Sequence, residues 1–549
     1  MKLSIKFMLV AILFAIIGCS DSSESSSDPT ETQTVAFSGI TANGTSSLVT
    51  TSELTLTFDD DPESLAIDNI DVTGATKGNL NGTGTTRTLT ISNITVANES
   101  TLTVTVNSPT GYTITDSTKT VAVFLVAVIP AAKITRVDNP SQGGFGGYYA
   151  VTLTQSSAAS HKDLGIKYGE AILIAAPDLQ SSFDGYLVDL GLDTAKLSAF
   201  IDRVNALKTK IPQDYIDEID GIASSISNTT SDVPGDKKLS ANEVWVLNLL
   251  PDVGRATACS GFGAWGSASE GGVSRIFRNL DWSAGSLGRI IKYQAVVTIK
   301  GTSTKSITLI GYLGMLSVIS GINSDGVFGA ILDSTTGALY SATGKRSYTL
   351  DLRTALETYS TKDTAGAYMR DTAESYPYNH NLLLADANGT IIVENNVSGT
   401  RAIRNDTSTL NSGITWGISK AAGVVNSFVL STSANTHTQL YNTARWDSLK
   451  TRAAAGTGSG GTLNENDLKL MSGYKGSDAT IGNGTNGGLY LGDSTFWGNQ
   501  QCIYFEPATK KLEIAFRPAY DAANPTRSGT ATAQGLPLVP VFMSVPTGL

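Results

Sequence analysis

Cysteine is rare in this chain of 549 residues, and its three positions, Cys19, Cys259 and Cys502, are the first candidates for chemistry. Three cysteines cannot form the disulfide framework of a long secreted chain, so each thiol needs its own explanation. Cys502 alternates with apolar neighbours, as in a core strand, whereas Cys259 opens the glycine-containing run Cys259-Ser-Gly-Phe-Gly-Ala264. Because a cysteine thiolate attacks amides well, Cys259 is the candidate nucleophile.

Two charged residues follow Cys259 at short range, Arg278 after 19 residues and Asp281 after 22. Taken alone, they could be a plain surface ion pair in a hairpin. Cys259 could equally be a buried structural thiol, because free cysteine packs like a small hydrophobic residue. The glycines around Cys259 argue against a tight core position, and the combination of all three residues favours catalysis.

The chain has only three histidines, His161, His380 and His437, and none lies at metal-ligand spacing from another histidine or from a cysteine. We therefore expect no zinc site, no other metal and no cofactor. We expect His161 and His437 to be exposed and His380 to be structural or exposed. The formal net charge is −10 and no basic residues cluster, which argues against nucleic acid as a partner.

Several motifs, taken in their order along the chain, resemble a known family. Cys259-Ser-Gly-Phe-Gly-Ala-Trp265 followed by Arg278-Asn-Leu-Asp-Trp282 is similar to a pattern of cysteine N-terminal-nucleophile enzymes. These are the isopenicillin-N acyltransferases, acid ceramidase and the choloylglycine (bile salt and penicillin V) hydrolases. Further segments fall in family order: Pro212–Ala223, Gly321–Phe328, Leu383–Glu394, Val425–Phe428 and Tyr441–Trp446.

The resemblance implies a fold and an activation step. The fold would be α+β, a four-layer αββα sandwich. The chain would cut itself between Ala258 and Cys259, by thiol attack on the Ala258 carbonyl, an N-to-S acyl shift and hydrolysis. The freed α-amino group of Cys259 titrates at about 7.7–8.0 when unperturbed and could take the thiol proton, so no histidine is needed. We expect Gly254 and Gly261 to allow the strained backbone that the cut requires.

The resemblance also implies roles for the residues around the nucleophile. Asp281 would hydrogen-bond the freed α-amino group beside the thiol. Arg278 would lie close to the sulfur, where a positive charge favours the thiolate. Asn426 would donate to the tetrahedral oxyanion through its side-chain amide. Arg445 would complete the charged network around Cys259.

Asp333 departs from the family pattern. It stands where bile salt hydrolases have an asparagine and penicillin V hydrolases have a tyrosine. An ionised aspartate cannot donate to an oxyanion. Asp333 would therefore contribute its backbone amide, or it would serve substrate binding or the α-amino group instead.

The first residues predict export. A short basic region precedes an apolar run over residues 7–17, too short to span a membrane comfortably. Ile16-Ile-Gly-Cys19 resembles a bacterial lipobox, in which a signal peptide, here 1–18, is cut before a lipid-bearing cysteine. The alternative is an ordinary signal peptide with an incidental Cys19. With a flexible tether over 19–34, we expect a lipid anchor on Cys19 and a location in the bacterial cell envelope, periplasmic or on the surface.

Residues 35–127 predict a small all-β module. Short runs alternate apolar residues with threonine and are separated by Asn-Gly and Thr-Gly turns, which is typical of a sandwich. The module resembles an immunoglobulin-like repeat of bacterial surface lipoproteins, mainly over 80–89. No residue in it suggests chemistry, so we predict a spacer rather than a ligand-binding domain.

The region that must position the candidate site begins with helical patterns. Residues 194–208 place five apolar side chains on one face, Pro212 suits a helix start, and Ser240 and Glu243 stand in capping-box register. Beyond Cys259, strand-like runs alternate with turns, with helices predicted near residues 351–359 and 439–453.

We divide this region into a pro-segment or small subunit over 128–258 and a main catalytic subunit over 259–549. The small subunit should stay bound after cleavage, because its helices would bury apolar faces against the rest of the protein.

The sequence predicts a self-activated cysteine amidohydrolase that cleaves a linear amide of an N-acylated small molecule, or transfers the acyl group to an amine. The alternative is a surface binding or adhesion lipoprotein with an inactive hydrolase-like domain. The lipid anchor and the β module would suit that alternative, but the intact set of five residues argues against it: Cys259, Arg278, Asp281, Asn426 and Arg445. A third possibility is that the resemblance fails and Cys259 is incidental.

Overall fold

The computed structural model describes residues 32–46, 49–125, 129–142, 146–254, 257–334, 340–477, 484–492, 497–519 and 539–549. The predicted signal peptide, Cys19 and nearly all of the tether lie outside these residues. The chain divides into two compact units, with the division between residues 128 and 129. None of the helices in the described ranges combines the length and the apolar character needed to cross a membrane.

The described part of the first unit is all β. Its strands are β1 (Gln33–Ala42), β2 (Glu53–Phe58), β3 (Ile70–Thr73), β4 (Thr76–Asn81), β5 (Thr86–Ser92), β6 (Thr101–Val106), β7 (Tyr112–Thr115) and β8 (Thr118–Ala122). They form a five-stranded sheet in the order β4-β5-β2-β1-β7 and a three-stranded sheet in the order β3-β6-β8.

The alternation of the sequence places the core of this unit. In β6 the even-numbered residues Leu102, Val104 and Val106 are fully buried, while the threonines between them face outward. An all-β module is therefore confirmed for this part of the chain. Its identification as immunoglobulin-like stays a prediction.

The second unit combines strands with helices, so the mixed α and β class is confirmed. Its strands are β9 (Ala132–Val137), β10 (Tyr148–Thr154), β11 (Thr257–Ala264), β12 (Arg275–Ser283), β13 (Gln294–Lys300), β14 (Ile307–Tyr312), β15 (Ser320–Asn323), β16 (Phe328–Asp333), β17 (His380–Asp386), β18 (Gly389–Asn395), β19 (Ala402–Arg404), β20 (Ala421–Val424), β21 (Trp497–Glu506), β22 (Lys511–Phe516) and β23 (Met543–Ser544).

The helices of the second unit fall into two groups along the chain. Those before Cys259 are α1 (His161–Ala175), α2 (Leu179–Asp189), α3 (Thr194–Lys208), α4 (Gln213–Ile226), α5 (Ala241–Asn248) and α6 (Leu250–Gly254). Those after it are α7 (Tyr348–Thr358), α8 (Lys362–Asp371), α9 (Leu440–Thr457) and α10 (Glu465–Ser472).

Two sheets organise the second unit. One has nine strands in the order β19-β18-β17-β16-β15-β14-β13-β10-β9, and the other has six in the order β20-β11-β12-β21-β22-β23. Helices α7 and α8 contact the nine-stranded sheet, α9 and α10 contact the six-stranded sheet, and β11 contacts β16 and β18 of the facing sheet. The two sheets therefore lie against each other, with helices on the outer side of both.

Local sequence signals place several of these helices correctly. Helix α3 covers the predicted residues and buries Leu197, Val204 and Leu207. Pro212 is the residue before the first turn of α4. Ser240 and Glu243 form the predicted capping box at the start of α5, which satisfies backbone N–H groups that the first turn leaves unpaired.

Candidate active site

One antiparallel hairpin brings Cys259, Arg278 and Asp281 together. Strand β11 carries the cysteine and β12 carries the two charged residues. Their register places Ala258 opposite Asp281 and Cys259 opposite Leu280. Because strand pairing fixes which residues are neighbours, the spacing of 19 and 22 residues in the sequence becomes proximity in the folded chain.

The guanidinium of Arg278 lies against the sulfur. Its Nη2 donates to Sγ of Cys259 at 3.3 Å and to the backbone carbonyl of Ile331, in β16, at 3.0 Å. Arg278 is therefore held from the facing sheet. Both side chains are fully buried, so little water screens the attraction between the guanidinium and a thiolate.

Asp281 is buried with spare capacity to accept hydrogen bonds. Within the described residues, neither of its carboxylate oxygens has a hydrogen-bond partner, and Oδ2 lies 3.8 Å from Nη1 of Arg445. The register of β12 with β21 shifts between Leu280 and Asp281, a bulge of the kind that re-aims side chains beside active sites. A carboxylate in this state could bind an amine formed at Cys259.

Asn426 connects three parts of the site. It follows β20 in a bend rather than standing in a strand. Its Oδ1 accepts from the backbone N–H of Cys259 at 2.7 Å and from Nη2 of Arg445 at 2.8 Å. Its Nδ2 donates to the backbone carbonyl of Asp333 at 2.7 Å. In the continuous chain, the side-chain amide of Asn426 therefore acts as a hydrogen-bond acceptor, and this bond holds the backbone of Cys259 in place.

Helix α9 presents Arg445 to the same backbone. Its Nη1 donates to the carbonyl of Cys259 at 2.8 Å, and its guanidinium lies 4.0 Å from the ring of Tyr441. Its Nη2 also donates to Asn442, whose own Nδ2 donates to the carbonyl of Asn426 at 3.1 Å. Tyr441 and Asn442 were not predicted. Their positions four and three residues before Arg445, on one face of α9, are the signal that identifies them.

Asp333 enters the site through its backbone carbonyl. It is half-buried at the end of β16, where it pairs with His380 of β17. The carbonyl accepts from Nδ2 of Asn426 and orients that side chain, and the use of the Asp333 backbone amide at an oxyanion stays a prediction. A direct role of Asp333 in substrate or amine binding stays a prediction.

Burial favours the protonated forms of both the thiol and the carboxyl group of the site. Burial raises the pKa of the Cys259 thiol to about 11, and the nearby Arg278 only partly offsets this effect. Burial also raises the pKa of Asp281 to about 8, against the opposing influence of Arg445 and Arg278. At neutral pH the continuous chain thus holds a protonated thiol beside a largely protonated carboxyl group.

The site is closed in the continuous chain. Apart from the half-buried Asp333, its side chains have no exposed surface: Cys259, Arg278, Asp281, Asn426 and Arg445.

A narrow apolar cavity adjoins the hairpin. It is lined by Phe183, Tyr186, Leu247, Leu250, Trp282, Ile290, Tyr312 and Met315. Trp282 lies two residues beyond Leu280, the partner of Cys259 in the hairpin, so one wall of the cavity is on the same face of the hairpin as Cys259. Walls of this composition suit the apolar part of a ligand.

The glycines near the predicted cut contribute packing space rather than strain. Neither Gly254 nor Gly261 has a positive φ, so the predicted strained backbone is not found at these positions. A Cβ at Gly261 would lie 2.7 Å from Cδ2 of Leu383 and 3.3 Å from Cγ1 of Val424. Glycine is needed here because β11 passes close to β17 and β20.

The remaining predicted residues lie outside this cluster. Cys502 is buried in β21, as its alternating pattern predicts. His380 is buried and structural, with its ring between the Tyr378 carbonyl and Asn395. The prediction that His437 is exposed is wrong, because the ring is buried and its Nδ1 lies 2.7 Å from Oγ of Ser427.

His161 is half-buried rather than exposed, and its Nδ1 lies 2.7 Å from the buried carboxylate of Glu218. Apolar neighbours and hydrogen-bond partners from distant strands and helices cover these histidines, which the local sequence does not reveal. In the described ranges, no three histidine, cysteine or acidic side chains are grouped to hold a metal ion.

No known protein-family profile matches the chain, and no curated protein sequence is significantly similar to it. Among solved structures, a Caenorhabditis elegans ortholog of N-acylethanolamine-hydrolyzing acid amidase aligns over 45% of this chain and 93% of its own, with 12% identity and a TM-score of 0.31. A mutant of the conjugated bile acid hydrolase from Clostridium perfringens aligns over 52% and 96%, with 11% identity and a TM-score of 0.31. Penicillin V acylase from Agrobacterium tumefaciens aligns over 49% and 88%, with 14% identity and a TM-score of 0.29. These scores are too low to assign the chain to a family.

Proposed function

We propose that this protein is a cysteine amidohydrolase that activates itself by cutting between Ala258 and Cys259. The observation that carries the proposal is the contact of Arg278 Nη2 with the Cys259 sulfur, at 3.3 Å, inside a buried hairpin. The same hairpin sets Asp281 opposite Ala258. A structural thiol would need neither a buried cation at its sulfur nor a buried carboxyl group beside its own backbone.

Activation is an intramolecular acyl transfer. The sulfur of Cys259 attacks the carbonyl carbon of Ala258, and a thioester forms. The C–N bond breaks as the nitrogen takes the proton that the thiol gave up. Water then hydrolyses the thioester, which leaves a carboxylate on Ala258 and restores the thiol of Cys259. Asn426 and Arg445 support this step, because they hold the N–H and the C=O of Cys259 while its sulfur turns toward Ala258.

After the cut, the new α-amino group of Cys259 is the base. It titrates at about 7.7–8.0 in the absence of neighbours, so it can take the thiol proton at neutral pH. Asp281 binds this ammonium group with its unpaired carboxylate oxygens. The positive charge in turn favours ionisation of Asp281, which reverses the neutral state of the precursor.

The hydrolytic cycle uses the same groups. The thiolate attacks the amide carbonyl of the substrate, the leaving amine takes a proton from the α-ammonium group, and an acyl thioester remains on Cys259. Asn426 donates its Nδ2 to the oxyanion, a contribution of about 2.7–4 kcal/mol for one such donor in comparable sites. Water releases the acyl group as an acid, whereas an amine acceptor would make the protein an acyltransferase.

The apolar cavity beside the hairpin supports an apolar group in the substrate. We propose a linear amide of an N-acylated small molecule, with the apolar part of the acyl group directed toward the apolar cavity between α2, α5 and β12. This placement is supported by the apolar walls of the cavity and by Trp282, which lies on the same face of the hairpin as Cys259.

The proposal also covers the arrangement of layers, the roles of the two units and the location of the protein. Helices outside two facing sheets support the four-layer αββα arrangement. The first unit is proposed as an immunoglobulin-like spacer, and residues up to 258 of the second unit as the small subunit, which stays bound after cleavage. A lipid on Cys19 would hold the protein in the bacterial cell envelope.

The test is turnover of a panel of N-acyl amides by the purified protein. Acyl amino acids, bile salt conjugates, penicillin V and ceramides cover different acyl and amine groups, and mass spectrometry reads both amine release and acylation of the fragment that begins at Cys259. We expect release from at least one class, with a transient mass increase equal to the acyl group on that fragment.

Cys502→Ala is the matched control, because Cys502 is also a buried thiol in the same sheet. It should keep the activity, whereas Cys259→Ala should lose it. Amine release that persists in Cys259→Ala would contradict the proposal. A chain that neither splits nor turns over any amide would favour the rival function, a binding or adhesion lipoprotein.

A further inference from the structure

The backbone around Asn426 lacks a strand ladder and is held largely by side chains. Strand β20 ends at Val424, and Asn426 and Ser427 lie in a bend. The N–H of Ser427 donates to the carbonyl of Val425 at 2.8 Å, and the other donors to the carbonyls of this segment come from side chains. Nδ2 of Asn381 donates to the carbonyl of Val425 at 3.0 Å and to the carbonyl of Ser427 at 3.1 Å. The buried amide of Asn381 therefore binds the backbone on both sides of Asn426.

The geometry points to Asn381 as the positioning residue for Asn426, and this inference rests on the proposed function. Within the described residues, the hydrogen bonds of the Asn381 side chain go to backbone carbonyls and not to Cys259 or to any group that reacts in the proposed mechanism. It acts by fixing the direction in which the Asn426 amide points. Oδ1 of that amide must meet the N–H of Cys259, at 2.7 Å, for the thiol to be held in place for the cut.

The rest of the loop is anchored independently of Asn381. Glu394 stands directly opposite Asn381 in the β17–β18 pair, so both side chains lie on the same face of the sheet. The carboxylate of Glu394 accepts from the backbone N–H groups of Val429 and Leu430. Loss of the Asn381 amide should therefore loosen residues 425–428 while residues 429–430 stay in place.

A matched control exists in the same nine-stranded sheet. Asn323, in β15, is fully buried, and its Nδ2 also donates to two backbone carbonyls, those of Leu356 at 2.9 Å and Tyr359 at 2.8 Å. Asn323 and Asn381 are thus both buried and hold two carbonyls each through Nδ2, but in different segments. Oδ1 of Asn323 also accepts from the N–H groups of Asp325 and Val327, whereas Oδ1 of Asn381 has no partner among the described residues, so Asn323→Ala is the more severe control for stability.

The experiment measures the rate of self-cleavage per folded molecule in Asn381→Ala and Asn323→Ala, from mass-spectrometric time courses across pH. Both variants should lose thermal stability. Only Asn381→Ala should slow cleavage strongly, on the order of 100-fold, the cost expected for a misplacement of about 1 Å. The rate should fall at every pH without a shift of the pH midpoint, because Arg278 and the thiol are untouched. Equal slowing in both variants, or cleavage of Asn381→Ala at the wild-type rate, would overturn the inference.

A second measurement does not depend on cleavage or on full activity. In a Cys259→Ala background every chain stays intact, and adding Asn381→Ala or the milder Asn381→Asp should speed hydrogen exchange at residues 425–428 but not at 429–430. Unchanged exchange at 425–428 would overturn the positioning role. If the wild-type chain never splits, the proposed function fails, and this exchange result still decides the role of Asn381.

Discussion

The sulfur of Cys259 is a weak nucleophile in the continuous chain, because burial holds its pKa at about 11. The nearby Arg278 lowers that pKa, and its removal should raise it further. Arg278→Met should therefore slow self-cleavage at pH 7 by about 10- to 1,000-fold, and the rate should recover only at higher pH. Time courses of chain mass across pH measure this effect.

Arg275→Met is the control for that variant. Arg275 begins the same strand and pairs with Glu506 at 3.4 Å, away from the sulfur. It should cleave at a rate close to that of the wild-type chain. If Arg278→Met also cleaves normally, Arg278 does not act on the thiol.

We expect the buried carboxyl group of Asp281 to lower the stability of the folded chain when it is ionised. Its pKa is about 8 in the folded chain against an ordinary value of 3.8, so the folded chain binds more protons between these values. Stability contributed by this group therefore falls as the pH rises through that window. In a Cys259→Ala background, Asp281→Asn should raise Tm at a pH of about 8, and the gain should vanish at about 4. A lower Tm at the higher pH would mean that the carboxylate is well paired.

The candidate catalytic residues that lie in one hairpin could be predicted from the sequence. Cys259, Arg278 and Asp281 lie within 23 consecutive positions, so a strand–turn–strand pattern is enough to suggest contact. The role of Asn381 could not be predicted, because its side chain contacts Val425 and Ser427 only through the packing of two sheets, which no local pattern encodes. The role of Asn426 as a hydrogen-bond acceptor could not be predicted for the same reason.

At the scale of elements, the close approach of β11 to its neighbours depends on Gly261. An added Cβ would lie 2.7 Å from Leu383, inside the contact distance of carbon atoms. Gly261→Ala should therefore destabilise the chain by about 1–3 kcal/mol, the usual cost of overpacking a core. Urea unfolding monitored by circular dichroism measures the change.

Gly458→Ala provides the comparison, because nothing lies within 4 Å of the position where its Cβ would be. Its stability should change by no more than about 0.5 kcal/mol. Equal changes in stability for the two substitutions would show that β11 can shift to make room for a side chain, which would contradict a tightly packed hairpin.

Helices with local signals were predicted well, whereas the sheets were not. The periodicity of α3 and the capping box of α5 are encoded within a few residues, and both were found where expected. The nine-stranded order, with β13 pairing in parallel to β10, depends on residues more than 140 positions apart. Strand runs could be recognised from alternation, but their partners could not.

At the scale of the whole second unit, a buried ionic network joins the two sides of the proposed cut. Glu218, in α4, lies 2.7 Å from Arg353, in α7, and both are fully buried. Arg353 also pairs with Glu357, which accepts a hydrogen bond from Tyr215 of α4 at 2.6 Å. After cleavage this network would help to hold the fragments together, in addition to apolar packing.

Arg353→Met should destabilise the protein by about 3–5 kcal/mol, because it removes the buried cation that pairs with two buried carboxylates. Urea unfolding with size-exclusion chromatography of the cleaved protein measures both stability and association. Lys167→Met, which breaks an exposed pair with Glu170, should have almost no effect. An unchanged urea midpoint in Arg353→Met would show that the ionic network does not hold the two fragments together.

Intact mass analysis of the purified protein decides whether the chain cuts itself before Cys259. We expect two chains after incubation, one ending at Ala258 and the other beginning Cys259-Ser-Gly-Phe. Self-cleavage by this thiol also requires that Cys502→Ala splits at the wild-type rate while Cys259→Ala stays whole. A wild-type protein that remains a single chain after long incubation, or a Cys259→Ala variant that splits at the same bond, would contradict it.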